Sequence, residues 1–162
     1  MGTLPQLIAE DMALLDRVLA DLVANSEAAA ALVIDKGGFL IAACGDKEHF
    51  DFTTIAALAS GAFMANQTIA QLIHEQHFHS MYQQGETYSL FVLNVDECCL
   101  LVKIFPAAIS AGAVKYFGMA AAALIARQIR TALERDPSRG IDLSVLNMAD
   151  TSSVFQRKPG PD

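Results

Sequence analysis

The chain has 162 residues, of which 53% are hydrophobic and 18% are charged, and its formal net charge is -7. This length fits one compact domain with a short tail, large enough to bury a core without disulfides or a structural metal. The acidic balance argues against non-specific nucleic-acid binding, which requires clustered lysine and arginine. The apolar content excludes a globally disordered chain.

The sequence also indicates whether the chain enters a membrane and whether its cysteines are reduced. Its first residues lack the basic and apolar regions of a secretory signal peptide. The apolar stretch 107–126 has Lys115 near its centre, which favours a buried helix of a folded domain over membrane insertion. The three cysteines, Cys44, Cys98 and Cys99, show no CxxC spacing and predict reduced thiols. We therefore expect a cytoplasmic protein without a membrane-spanning segment.

Hydrophobic periodicity and turn residues divide most of the chain into helices and strands. Gly37 and Gly38 permit a tight hairpin turn, and Pro106 ends a strand because it has no N–H to donate. The predicted elements are, in chain order, a helix over 4–25, strands over 29–34 and 39–44, a helix from Thr53 or Thr54 to about Glu75, strands over 79–84, 87–95 and 98–105, and a helix over 110–134.

The order helix-strand-strand-helix-strand-strand-strand-helix predicts an α/β sandwich. Hairpin-sized connections imply a five-stranded, mostly antiparallel sheet, and the helices can cover both of its faces. An open sheet of this kind has two unpaired edges. Unpaired edge strands can pair with other chains and aggregate. Pairing of two edges across a two-fold axis prevents this, so a homodimer is expected.

Composition changes after Arg135, where the segment RDPSRG has the proline, glycine and charge content of a linker. We therefore divide the chain into a domain over 1–135 and a linker with a C-terminal tail over 136–162. The tail contains the apolar residues Leu146, Met148, Val154 and Phe155. Two alternatives remain open for it: folding on a partner, or packing back on its own domain.

Motifs for enzymatic chemistry are missing from the sequence. There is no P-loop, no GxGxxG after a strand and no GxSxG elbow. The one metal-like signal is the run from His74 to His79, in which His74 and His77 are three residues apart, unlike the HExxH pattern. We interpret these histidines as solvated, or as favourable partners of a helix C-terminus. No catalytic residue, metal or cofactor is predicted.

The second helix is the most informative element. Its larger apolar stripe is expected to pack on the sheet, and consists of Ile55, Leu58, Ala62, Ala65, Ile69 and Leu72. A second stripe has no charge and mostly small side chains, and consists of Ala57, Gly61, Met64, Thr68 and Gln71. It would let another protein approach closely, or alternatively pack against another helix of the same chain. Gly61 costs about 1 kcal/mol relative to alanine in a helix interior, which indicates a packing reason for it.

Four segments together resemble one known family. They are AALVIDKGGFLIAACG, DFTTIAALASGAFMANQTIAQLI, YSLFVLNVDECCLLVKIF and SAGAVKYFGMAAAALIARQI. In order and spacing they are similar to the Roadblock (dynein light chain) family, and within it to the bacterial MglB type, which regulates the Ras-like gliding-motility GTPase MglA. The resemblance covers about residues 8 to 134. Met64 and Thr68 are bulkier than that pattern, and the tail lacks its dense acidic run.

The resemblance implies a Roadblock sandwich that dimerises by joining two five-stranded sheets, with the second helices side by side. It implies docking of a small Ras-like GTPase on those helices, two regulator chains per GTPase, and activation by remodelling of the GTPase switch region without an arginine finger. The implied docking residues are Ala57, Gly61, Met64, Thr68 and Gln71, with a tail contact through Leu146, Met148, Val154 and Phe155.

The implied process is cell polarity or gliding motility, and a cell pole is a candidate location. The alternative is a Roadblock scaffold that binds a GTPase or polarity protein without activating it. A small-molecule sensor, or a metal-dependent enzyme built on the histidine run, would require a cavity or a metal site for which the sequence shows no motif.

Overall fold

A computed structural model of the chain describes residues 3–135. The elements in chain order are α1 (Ala9–Ser26), β1 (Ala30–Asp35), β2 (Leu40–Gly45), α2 (Phe52–Leu72), β3 (Ser80–Gln83), β4 (Tyr88–Asn94), β5 (Cys99–Pro106) and α3 (Ala111–Leu133). This order confirms the predicted one. The predicted linker and tail over 136–162 lie outside the described residues, so the division at Arg135 stays a prediction.

The starts of two helices differ from the sequence-based predictions. Helix α1 begins at Ala9, since the Asp11 carboxylate accepts a 2.8 Å hydrogen bond from the backbone N–H of Ile8 and closes the first turn there. Helix α2 begins at Phe52, before the predicted Thr53 or Thr54, and Asp51 is its N-cap. The Asp51 carboxylate accepts hydrogen bonds from the backbone N–H of Thr54 at 3.1 Å and from its hydroxyl at 2.6 Å. Both bonds favour the ionised carboxylate and lower the pKa of Asp51.

The sheet is antiparallel at every strand pair and has the order β2-β1-β5-β4-β3. Strands β1 and β5 form its centre and are buried along almost their whole length. Their nearly continuous runs of alanine, valine, isoleucine and leucine suit strands that are covered on both faces. Strands β2 and β3 form the two edges, and β3, with 4 residues, is the shortest strand of the sheet. The predicted five-stranded antiparallel sheet is therefore confirmed.

The helices are divided unequally between the two faces of the sheet. Helices α1 and α3 pack against each other and cover one face, while α2 is the one helix of the described residues on the other face. Alternation along β1 shows this division, because Val33 packs in the α1–α3 core and Leu32 and Ile34 pack under α2. Among residues 3–135, no helix is both long and apolar enough to cross a membrane.

A buried ion pair joins the first turn of α1 to the end of α3. The Asp11 carboxylate has no exposed surface and accepts two hydrogen bonds from the Arg135 guanidinium, at 2.7 and 2.8 Å. The side-chain amide of Gln128 donates a further bond of 2.6 Å to it. These bonds, with Arg135 as the largest contribution, lower the pKa of Asp11 from 3.8 to about 2.

Removing the charge of Asp11 should cost stability in a pH-dependent way. A carboxyl group whose pKa is lowered on folding stabilises the folded state at pH values above the pKa it has in the unfolded chain. This contribution is lost as the pH falls through the pKa of the folded state. We expect Asp11→Asn to lower the free energy of unfolding by about 2 kcal/mol at pH 7 and by much less near pH 2, measured by urea denaturation. Asp16→Asn, at an exposed position of the same helix, is the control. An equal loss at both pH values would contradict this account.

A lysine is buried between the sheet and α3. Lys103, on β5, has no exposed surface and donates one 3.1 Å hydrogen bond to the backbone carbonyl of Val114 in the first turn of α3. Among the described residues no carboxylate pairs with it. A Cβ at Gly118 would stand 3.7 Å from Lys103 Cδ, so this glycine lies over the aliphatic stem. Burial disfavours the charged form and lowers the pKa of Lys103 to about 8.

Because burial disfavours the charged form of Lys103, the protein should become more stable as the pH rises and this ammonium loses its proton. The folded protein releases the Lys103 proton near pH 8 and the unfolded chain near 10.5, so the free energy of unfolding should rise between these values. We expect Lys103→Met to raise stability at pH 7 by on the order of 2 kcal/mol and to abolish that rise, because a buried unpaired charge is removed. Urea denaturation at pH 7 and pH 10 measures both effects, with the exposed Lys115→Met as control. A large loss of stability at pH 7 would show that the bond to Val114 outweighs the cost of burial.

Candidate docking surface on helix α2

Helix α2 contacts the sheet through two phenylalanines and small residues between them. Its buried positions are Phe52, Ala56, Ala59, Ser60, Phe63 and Ala70. Ser60 donates a 2.7 Å hydrogen bond from its hydroxyl to the backbone carbonyl of Lys36, which ties α2 to the turn between β1 and β2. This contact fixes which side of the helix faces outward.

Most of the stripe predicted to pack on the sheet does not do so, although Ile55 is partly buried against the core beneath α2. Leu58, Ile69 and Leu72 are 69%, 49% and 75% exposed. The buried side is rotated by roughly a third of a turn from the predicted one at 100° per residue. The prediction was wrong because α2 is apolar on nearly every side, so periodicity alone does not select the buried face.

The hairpin turn between β1 and β2 approaches α2 closely. Gly38 has a φ of +93°, and a Cβ there would stand 3.1 Å from the Cα of Ala57. Glycine is required on both counts, because other residues rarely adopt this φ and would crowd the helix backbone. The next residue, Phe39, is 74% exposed beside this contact.

The predicted docking residues lie on the outward side of α2. Ala57, Gly61, Thr68 and Gln71 are exposed or partly exposed, and Met64 is partly buried. Within residues 3–135, no other helix packs against this stripe, because α1 and α3 lie on the opposite face of the sheet. A Cβ at Gly61 would meet nothing within 4 Å. Nothing in the described part of the chain therefore accounts for a glycine at this position.

The outward side of α2 is unusual because it has no charge. No aspartate, glutamate, lysine or arginine occurs between Phe52 and Leu72. An exposed helix face normally alternates charges of both signs, which keeps a protein monomeric and soluble. Here exposed leucine and isoleucine side chains lie beside alanine, glycine and threonine. We call this outward side of residues 57–72 the α2 face.

A hollow lies on each side of the α2 face. One has a volume of about 480 Å³ and lies between α2 and the strands β3 and β4, where Leu58, Tyr88 and Leu90 line it. The other has a volume of about 310 Å³, and its lining includes Met64 and the polar residue Asn94. The α2 face is therefore a ridge between two hollows, and a partner protein can contact it from both sides.

The histidine run follows α2 and is not part of it. The helix ends at Leu72, and His74 has a φ of +65°, which turns the chain away from the helix axis. The rings of His77 and His79 stack edge to face with centroids 4.6 Å apart. Within residues 3–135, no group of three or more metal-ligating side chains could hold a metal ion.

Sequence reasoning missed part of the exposed apolar surface. Periodicity predicts that Leu58, Ile69 and Leu72 pack on the sheet, and it places Phe39 only in a strand. One signal could have corrected the first error. Phe52 and Phe63 are eleven residues apart, which places them on the same side of a helix, and aromatic side chains bury the largest area.

Alanine at position 61 should test whether a second chain packs on Gly61. If the position is open to solvent, we expect Gly61→Ala to raise the free energy of unfolding by about 0.5–1 kcal/mol, because glycine is unfavourable in a helix interior. Gly112→Ala, in the first turn of α3, is the comparison at a second open position, since a Cβ there also meets nothing within 4 Å. Chemical denaturation of both variants measures the effect. A loss of stability at position 61 alone would mean that another copy of the chain already contacts this glycine.

The chain matches one protein family over most of the domain described above. The family model described as the Roadblock/LC7 domain matches residues 14–104, which extend from α1 to β5. Among curated protein sequences no match was found. Several solved structures are similar to the chain over most of its length.

Three of these structures are MglB proteins. One, described as MglB with a tetrameric arrangement, is 29% identical with a TM-score of 0.74, and the match covers 82% of this chain and 99% of that one. Myxococcus xanthus MglB is 26% identical with a TM-score of 0.74, covering 80% and 97% of the two chains. The gliding protein MglB of Thermus thermophilus is 28% identical with a TM-score of 0.73, covering 81% and 99%. On the family match, which spans more than half of its length, the chain belongs to the Roadblock/LC7 family.

Proposed function

We propose that this protein is a regulator that docks, as a homodimer, on a small Ras-like GTPase of the MglA type and activates GTP hydrolysis. The observation that carries the proposal is the uncharged α2 face, on which Leu58 and Leu72 are exposed by 69% and 75%. Exposed apolar patches of this kind mark protein–protein interaction sites. The similarity to MglB over nearly the full length of those chains supports a partner of the same class.

The architecture of the sheet supports the proposed homodimer. Strand β3 is an edge of the sheet, and an edge strand presents unpaired backbone groups that a second copy can satisfy. Pairing of two such edges would bring the α2 helices of both protomers to one side of a joined sheet. The combined surface would then offer one GTPase a docking site built from two regulator chains.

Each proposed docking residue has a distinct role. Ala57 and Gly61 present almost no side chain, so the partner backbone can come close to the helix. Met64 borders the 310 Å³ hollow and can adapt its shape to the partner. Thr68 and Gln71 offer hydrogen-bonding groups toward the end of α2. The predicted tail contacts, Leu146, Met148, Val154 and Phe155, lie outside the described residues and are kept as part of the proposal.

Activation needs no catalytic residue from this chain. Phosphoryl transfer is accelerated by positioning and by charge stabilisation, which the residues of the GTPase can supply once its switch region is correctly placed. A shift of a switch from 1:99 to 99:1 in favour of the competent state requires about 5.5 kcal/mol of differential binding. An interface of standard size, about 1,600 Å², can provide this amount.

A charge on the α2 face should prevent docking. We expect Met64→Arg to weaken GTPase binding by about 100-fold or more, because the complex would bury an unpaired charge. Thr68→Arg, on the same stripe, should act in the same direction. Ala13→Arg on the outward side of α1 is the matched control. Calorimetric titration measures the affinity, and the melting temperature verifies that each variant folds. Unchanged binding by both α2 variants would rule out the α2 face as the docking surface.

Single-turnover GTP hydrolysis tests the function itself. The MglA-type GTPase of the same cell is loaded with GTP, and its hydrolysis is followed at increasing concentrations of this protein. We expect acceleration that saturates at two regulator chains per GTPase. Binding at that ratio without acceleration would instead support a scaffold that recruits the GTPase. Absence of binding would overturn the assignment of this partner.

A further inference from the structure

A second apolar surface lies on α1 and α3, the helices that cover the face of the sheet opposite α2. Between α1 and α3 there is an open groove of about 180 Å³, whose apolar lining includes Val18 and Leu22 of α1 and Phe117 and Leu124 of α3. On the same helix α3, Tyr116 is 73% exposed and Met119 is 55% exposed. Neither of these two side chains lines the groove, so the exposed apolar surface of α3 extends beyond it.

Small residues and one charge define what the groove can accept. Ala120 and Ala121 form part of its lining, so space remains between the larger side chains. Of its lining residues, Asp21 alone is charged. A complementary ligand would insert one or two apolar side chains and place a positive charge beside Asp21.

The chain itself contains a segment with this chemistry. Val154 and Phe155 are adjacent, and Gln156, Arg157 and Lys158 follow directly. An apolar pair followed by two cations matches an apolar groove bordered by an aspartate. The other large apolar residues of the tail are Ile141, Leu143, Val145, Leu146 and Met148, and no cation follows any of them before Arg157.

The length of the tail permits this contact. The tail starts from Arg135, which the bidentate bond to Asp11 holds against the first turn of α1. The groove residues Phe117 to Leu124 lie back along α3 by about 16–27 Å at 1.5 Å per residue. Residues 136–153 separate Arg135 from Val154 and cover about 27 Å even at the rise of a helix, and more if extended.

We propose that Val154 to Lys158 bind in the groove between α1 and α3 of the same chain. Phe155 fills the space above Ala120 and Ala121, and Arg157 or Lys158 pairs with Asp21. This docking involves the free protein and does not rest on the proposed GTPase partner. If Val154 and Phe155 also contact that partner, the two contacts exclude each other. The groove is then the resting position of the tail.

Hydrogen exchange of the full chain tests the proposal. We expect the amides of 154–158 to exchange at least tenfold more slowly than those of a free peptide of the same sequence. Ala120→Arg fills the groove at an exposed position and repels the tail cations, so it should remove this protection. Ala13→Arg is the matched control and should leave the protection intact. Unprotected amides in the unaltered chain, or protection that survives Ala120→Arg, would overturn the proposal.

Photo-crosslinking shows which surface and which chain the tail contacts. A benzophenone amino acid replaces Phe155 in an equal mixture of isotopically light and heavy protein. We expect crosslinks to the peptides around Leu22 and Leu124, within chains of a single isotope. Crosslinks to α2, or products that join light and heavy chains, would overturn the proposal by placing the tail on another surface or on a second copy.

Discussion

One helix is too narrow to cover one face of a five-stranded sheet. The outer strands of such a sheet lie about 19 Å apart, whereas a helix with its side chains is about 10–12 Å wide. In the part of the chain from residue 3 to 135, two helices cover the α1–α3 side and α2 alone covers the other. The hollow of about 480 Å³ beside Leu58 is the space that α2 leaves over β3 and β4. Because α2 is too narrow to cover this face of the sheet, apolar surface remains exposed on the α2 side of the domain.

The contacts that hold the helices on the two faces of the sheet differ in chemistry. The α1–α3 side is closed by polar contacts inside the fold: the carboxylate of Asp11 with Arg135, and the ammonium of Lys103 with a helix carbonyl. The α2 side is held by phenylalanine and alanine packing, and a hydroxyl contact from Ser60 joins it to the hairpin turn. The buried charges therefore lie on the side away from the proposed GTPase site. The side proposed to dock a partner keeps its outer surface free of charged groups that need pairing.

Most of the fold could be predicted from the sequence because its signals are local. Glycines at the hairpin turn, the proline at the end of β5 and the apolar runs of β1 and β5 indicated the element order and an antiparallel sheet. The rotation of α2 could not be obtained from periodicity, because a helix that is apolar on nearly every side has no clear polar face to mark its outside. Pairing of Asp11 with Arg135 was equally inaccessible, since it joins residues at opposite ends of the domain. The residues proposed for docking came from an argument about charge and size, which does not depend on choosing the buried face correctly.

The missing charge on α2 has a consequence for how fast a partner can associate. Electrostatic steering raises association rate constants to about 10⁸–10⁹ M⁻¹s⁻¹ at low salt, whereas encounters without steering proceed at about 10⁵–10⁶ M⁻¹s⁻¹. The net charge of -7 lies outside α2, so no field of the α2 face itself guides an incoming protein. At physiological ionic strength the Debye length is about 8 Å, so the charges elsewhere on the chain are largely screened from an encounter at that face. The lifetime of a complex formed there, more than the frequency of its encounters, would decide its occupancy.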